Sequence, residues 1–168
     1  RQNVFLHYQE LASKGKIDAE RNLAKCYISG VGTKISAAEA VRHFKIAADR
    51  GNVSAQVNLA LLLSHSEQAL QSQDVIFHYY QKAAEKGDTT AENNLGYCYQ
   101  YGQGVERSLE KASQFYSRAA EKGNAVAQCN MGRCYLNGWG VERSDEMAFH
   151  YFSLAAKEGN AVGELLLA

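Results

Sequence analysis

The 168-residue chain has no long apolar run. Its longest, Leu59 to Leu63, falls far short of the length that crosses a bilayer, so direct membrane insertion is not expected. It has no charge excess either. Eighteen Lys plus Arg are matched by eighteen Asp plus Glu, so no global field draws the chain to nucleic acid or to an anionic membrane. Four cysteines are too few for a disulfide scaffold in a chain of this size. Reduced thiols and a cytoplasmic address are the simpler expectation, with the secretory lumen as the alternative, because Asn52-Val53-Ser54 is one glycan-acceptor triplet. Neither Cys-x-x-Cys nor His-Glu-x-x-His spacing occurs, and no strand-like alternation survives over a useful length.

What the chain does have is itself, repeated. Ala47-Ala48-Asp49-Arg50-Gly51 returns as Ala83-Ala84-Glu85-Lys86-Gly87, Ala119-Ala120-Glu121-Lys122-Gly123 and Ala155-Ala156-Lys157-Glu158-Gly159, and more faintly as Leu11-Ala12-Ser13-Lys14-Gly15. The interval is 36 residues throughout, without insertion. A strict period of this length predicts a stack of equal supersecondary units rather than one fold around a single centre. The chain divides into a half unit at 1–15, repeats at 16–51, 52–87, 88–123 and 124–159, and the start of another at 160–168. Arg1 falls inside the pattern, so the sequence reads as one array taken from a longer protein.

Each period predicts two helices. In the first, apolar residues lie four apart: Ala19, Leu23 and Tyr27; Ala55, Leu59 and Leu63; Ala91, Leu95 and Tyr99; Ala127, Met131 and Tyr135. Asn52, Asp88, Asn124 and Asn160 are placed to cap it. A Gly-x-Gly turn closes it at Gly30-Val31-Gly32, Gly102-Gln103-Gly104 and Gly138-Trp139-Gly140. The second helix begins near Ser36, Ser108 or Ser144 and carries the larger rings, Tyr8, Phe44, Tyr80, Tyr116 and Phe152, each one turn after Val4, Ala40, Ile76, Ala112 or Ala148. The second period departs from this plan. Its segment Ser64 to Gln73 lacks the turn, so its first helix is expected to run long or end raggedly.

The combination Ala-x-x-x-Leu-Gly-x-x-Tyr, Gly-x-Gly-Val and Ala-Ala-x-x-Gly resembles the SEL-one-like repeat, a relative of the tetratricopeptide repeat. Ala91, Leu95, Gly96, Tyr99, Gly102, Gly104, Val105, Ala112, Tyr116 and Gly123 carry it, and the fourth period repeats it. The resemblance covers the whole chain. It implies an all-α fold, an α/α superhelical solenoid whose first helices line a concave face, and it implies no catalysis.

The reactive residue types fit that plan as structure. Cys26, Cys98 and Cys134 share a phase with Leu62, which marks an apolar packing position. His7, His43, His78 and His150 all fall in second helices, and helices stacked about 8 to 10 Å apart hold equivalent residues too far apart to share a metal. The Gly-x-Gly turns follow no strand and precede no Gly-Lys-Ser/Thr, so they are helix stops rather than a nucleotide loop. No cofactor or metal is expected.

Partner-binding candidates come from polar residues on the constant frame. Asn22, Asn58, Asn94 and Asn130 recur at the period and suit either an extended peptide backbone or a bond between repeats. Arg21, Val57, Asn93 and Cys129, one residue earlier, vary freely, as do Lys25, Leu61, Tyr97 and Arg133 one turn later. By similarity to tetratricopeptide repeats these positions face the groove. Tyr101 joins them, and Trp139 is either an interface anchor or a ring folded onto the next repeat. Arg21, Lys25 and Arg133 favour an acidic partner. The expected function is a non-catalytic scaffold that binds a protein or peptide. The alternative is a regulatory repeat segment of a larger enzyme such as a kinase.

Overall fold

A computed structural model describes residues 2–67, 69–160 and 163, with the side chain of Gln2 left aside. Among the described residues there are nine α-helices, one 3-10 turn and no strand. The helices are α1 (Gln2–Ser13), α2 (Ile17–Ser29), α3 (Ala37–Asp49), α4 (Val53–Ser64), α5 (Gln73–Glu85), α6 (Thr89–Tyr101), α7 (Leu109–Glu121), α8 (Ala125–Asn137) and α9 (Asp145–Lys157), and the 3-10 turn is Ala69–Ser72. Contacts divide the chain into two compact units between Ala83 and Ala84, inside α5.

The helix starts are set by side-chain caps where the sequence places them. Asn52, Asp88 and Asn124 each accept the amide of the residue three positions on, at 2.9 Å, and Asn160 accepts that of Gly163 at 3.3 Å. Ser36, Ser108 and Ser144 do the same for α3, α7 and α9. Each such bond satisfies one of the four amides that a helix start leaves unpaired. Only α2 departs from this among the capped helices, starting at Lys16 with no side-chain cap.

The turns are equally specific. Gly30, Gly102 and Gly138 end α2, α6 and α8 in the left-handed region. Beyond each turn the amide of Ser36, Ser108 or Ser144 donates back to the carbonyl of Tyr27, Tyr99 or Tyr135, at 2.8 to 3.0 Å, fixing how the second helix leaves the first. Gly140 lies so close to the carbonyl of Leu109 that a Cβ would collide with it, and its own carbonyl accepts Ser113 Oγ at 3.2 Å. In the second period, α4 stops at Ser64 and His65 caps it with φ −99°. The helix does not run long, and the 3-10 turn takes up the connection.

In the first unit, Phe5, Leu23 and Cys26 form a buried cluster against α1 and α2, and Phe44 is fully buried on α3. In the second, Tyr116, Ala112, Met131 and Cys134 form another, with Trp139 and Tyr135 packed on it. Tyr80 and Phe152 are buried as their phase predicts, whereas Val4 is exposed and Tyr8 half-buried on the first helix.

Candidate functional site

A cleft of about 360 Å³ opens in the second unit. Helix α6 supplies Tyr97, Gln100 and Tyr101, while α8 supplies Asn130, Arg133 and Leu136, with Asn137 at its end. Trp139 comes from the turn after α8, and Tyr116 reaches the cleft from α7. Helical spacing explains the gathering. Tyr97 and Tyr101 are four apart, so their rings meet at 4.5 Å between centroids, and Asn130, Arg133 and Asn137 follow one face of α8.

The interior of the cleft is oriented from below. Tyr116 is 1% exposed, and its hydroxyl donates to Gln100 Oε1 at 2.8 Å, which turns the Gln100 amide group toward the Tyr101 hydroxyl, 3.4 Å away. Burial pushes the Tyr116 phenol well above the tyrosine range, so it stays protonated and keeps donating. Arg133 is the one formally charged side chain on the lining, and no ion pair reaches it among the described residues. The lining has no carboxylate, histidine or thiol. Its chemistry is therefore stacking, hydrogen bonding and pairing with an anion.

Five sequence candidates meet here: Tyr97, Tyr101, Asn130, Arg133 and Trp139. Trp139 is half-buried, lining the cleft while packing on the core of its unit. Asn94 lies on an amide relay in the same unit: Asn130 Nδ2 donates to Asn93 Oδ1 at 2.9 Å, and Asn93 Nδ2 to Asn94 Oδ1 at 3.3 Å. Arg21, Asn22, Lys25 and Asn58 belong to the first unit. There Arg21 donates to Asn22 at 3.4 Å, Lys25 is exposed, and Asn58 donates to the Ser54 carbonyl of its own helix at 2.6 Å. The positions expected to vary along the groove one residue earlier are mostly packed: Val57, Asn93 and Cys129 are buried. Variation there follows packing.

Gln100, Leu136 and Asn137 were not expected. Gln100 and Leu136 share one repeat phase with Ile28 and Ser64, and Asn137 shares another with Tyr101, His65 and Ser29. Unconstrained variation just before the turn was the available signal. All four cysteines are unpaired and buried, and burial pushes the Cys98 and Cys134 thiols up to about 11. His43 is buried against Glu20 at 2.6 Å, and His7, His78 and His150 are exposed. No metal-holding cluster occurs among the described residues. The glycan-acceptor Asn52 has its amide engaged by Asp18 at 3.1 Å and its oxygen by the α4 start.

The Sel1 repeat family model matches residues 17–52, 53–88, 89–124 and 125–160. The chain belongs to the Sel1 repeat family. A Sel1 repeat protein from Oxalobacter formigenes is similar over 99% of this chain and 66% of its own, at 28% identity and a TM-score of 0.92. A protective antigen of uropathogenic Escherichia coli, with an SLR fold, is similar over 97% of this chain and 35% of its own, at 31% identity and a TM-score of 0.88. Cysteine rich protein B of Helicobacter pylori shares the fold, at 23% identity, over 79% of this chain and 96% of its own, with a TM-score of 0.62. No curated protein matches. The chain thus spans less than two thirds of the first two relatives. Its fold class is the all-α Sel1 solenoid. Sel1 repeats generally mediate protein–protein interaction and are generally not catalytic. No helix among the described residues is long and apolar enough to cross a membrane.

Proposed function

We propose that this Sel1 array is a non-catalytic scaffold that docks a partner protein or peptide in the cleft between α6 and α8. The observation that carries this reading is convergence. Tyr97, Tyr101, Arg133 and Trp139 vary or stand out in the repeat, and they are gathered on one partly open surface. Aromatic and Arg side chains of this kind supply most binding energy at interfaces. The first unit carries its own proposed contacts, Arg21, Asn22, Lys25 and Asn58, of which Arg21 and Lys25 favour an acidic segment. Four buried, unpaired cysteines fit a reducing compartment such as the cytoplasm.

The test compares affinity capture by the unaltered chain with capture by a Tyr97→Ala/Arg133→Ala variant. Both side chains are exposed, so the variant is expected to keep its helicity, checked by circular dichroism. Each partner held by the unaltered chain is expected to be lost or weakened roughly thirtyfold or more, the scale of one hot spot of about 2 kcal/mol. Partners captured equally by both proteins would remove the cleft from the reading.

A further inference from the structure

We infer that the cleft takes a peptide segment in which an aromatic side chain stands next to a carboxylate. This rests on the cleft being the docking point and adds the chemistry of what docks.

Size sets the first limit. At about 360 Å³ the cleft lies at the small end of the range of ligand pockets, about 300–1,000 Å³, which suits one large side chain with its adjoining backbone. The walls set the second. Tyr97 and Tyr101 present rings already in contact, Trp139 presents an indole half-anchored in the core, and Leu136 closes the apolar side. Such walls receive an aromatic ring edge-on or offset-stacked.

Charge decides the rest. Three electron-rich rings alone would also suit a quaternary ammonium group. Arg133 is the only charge on the lining and has no carboxylate beside it, so a cation would be repelled. An exposed, unpaired guanidinium instead offers two parallel N–H donors to a carboxylate. The amides complete the fit. Asn130 and Asn137 each donate one N–H, to Asn93 Oδ1 and to the Arg133 carbonyl, which fixes the amide planes and leaves the side-chain carbonyl oxygens to accept peptide N–H groups. With a single cation, the site matches the single negative charge of a carboxylate better than the double charge of a phosphate.

The chain has one tryptophan, and it lines the cleft, so Trp139 fluorescence reports occupancy directly. The whole chain is titrated with blocked hexapeptides in a Gly-Ser frame that carry Asp beside Phe, in both orders. Comparison peptides carry Asn with Phe, Asp with Ala, Lys with Phe, or phosphotyrosine. A saturable change with at least one of the Asp and Phe peptides is expected, with every comparison peptide at least tenfold weaker. In Arg133→Gln the Asp and Asn peptides are expected to bind alike, with helicity unchanged. Equal binding of the Asp and Asn peptides to the unaltered chain, tighter binding of the Lys or phosphotyrosine peptide, or no response to either Asp and Phe peptide would overturn the inference. If capture depends on Tyr97 and Arg133 while these peptides fail, the docking point stands and its assigned chemistry falls. If capture is indifferent to both side chains, the docking point itself falls.

Discussion

At the residue scale, one inner position of the first helix shows how the repeat tolerates polarity in its core. Glu20, Gln56, Glu92 and Gln128 recur there, all buried. Gln56 and Gln128 donate to the carbonyls of Ala48 and Ala120. Glu92 has no hydrogen to donate and instead draws in Arg118 at 2.7 Å and Lys122 at 2.8 Å, while Glu20 takes His43. The period alone does not reveal this position's role, because its partners lie 23, 26 and 30 residues on for the carboxylates and 8 residues back for the glutamines. Arg118 and Lys122 are about half exposed, so losing the carboxylate leaves them hydrated rather than buried. Glu92→Gln is therefore expected to cost less than about 1 kcal/mol, since glutamine can reach the Ala84 carbonyl as its counterparts do. Glu92→Ala, which leaves a cavity and breaks both pairs, is expected to cost about 3 kcal/mol. Urea denaturation of the two variants checks this, and equal losses would refute the proposed substitution of one hydrogen-bonding scheme for the other.

At the element scale, caps and turns do most of the positioning, and these were the most legible features. Asn52, Asp88 and Asn124, the serines at 36, 108 and 144, and the Gly-x-Gly stops all act where the spacing put them. Local chemistry is enough to specify them, because a cap needs only the amide three residues on. The exit of α4 was less legible. Ser66-Glu67-Gln68 stands where the other periods have their turn, and nothing in those three residues selects a backbone path. Two substitutions test the readable part. Asp88→Ala removes the bond to the Ala91 amide and is expected to cost about 1 kcal/mol. Gly123 has φ +86° with open space around a Cβ, so Gly123→Val is penalised through backbone strain alone, by about 1–2 kcal/mol. An unchanged thermal midpoint for Gly123→Val would mean that the turn relaxes to negative φ.

At the scale of the molecule, the period disclosed the helix count and order, because each unit repeats one local solution. The cleft was only half legible. Variation pointed to Tyr97, Arg133 and Trp139, but whether a variable position opens to solvent or packs inward depends on helix rotation, as buried Asn93 and Cys129 show against exposed Tyr97 and Arg133. The cysteine phase was fully legible, and it carries a prediction about stability against pH. Burial raises the Cys98 and Cys134 thiols to about 11, against about 8.5 for an exposed thiol. Between those values the unfolded chain gives up protons that the folded chain keeps. The contribution is complete below pH about 8.5 and is lost as pH rises toward 11. By pH 10 the loss is on the order of 1–2 kcal/mol for each thiol. Cys98→Ala/Cys134→Ala is expected to be less stable at pH 7, by about 1 kcal/mol per site, yet to lose less between pH 8 and pH 10. Its partner binding per folded molecule is expected to be unchanged, because neither thiol lines the cleft. Denaturation midpoints at pH 7, 8, 9 and 10 decide the matter: parallel curves for the two proteins would show that the buried thiols are not the source of the alkaline loss.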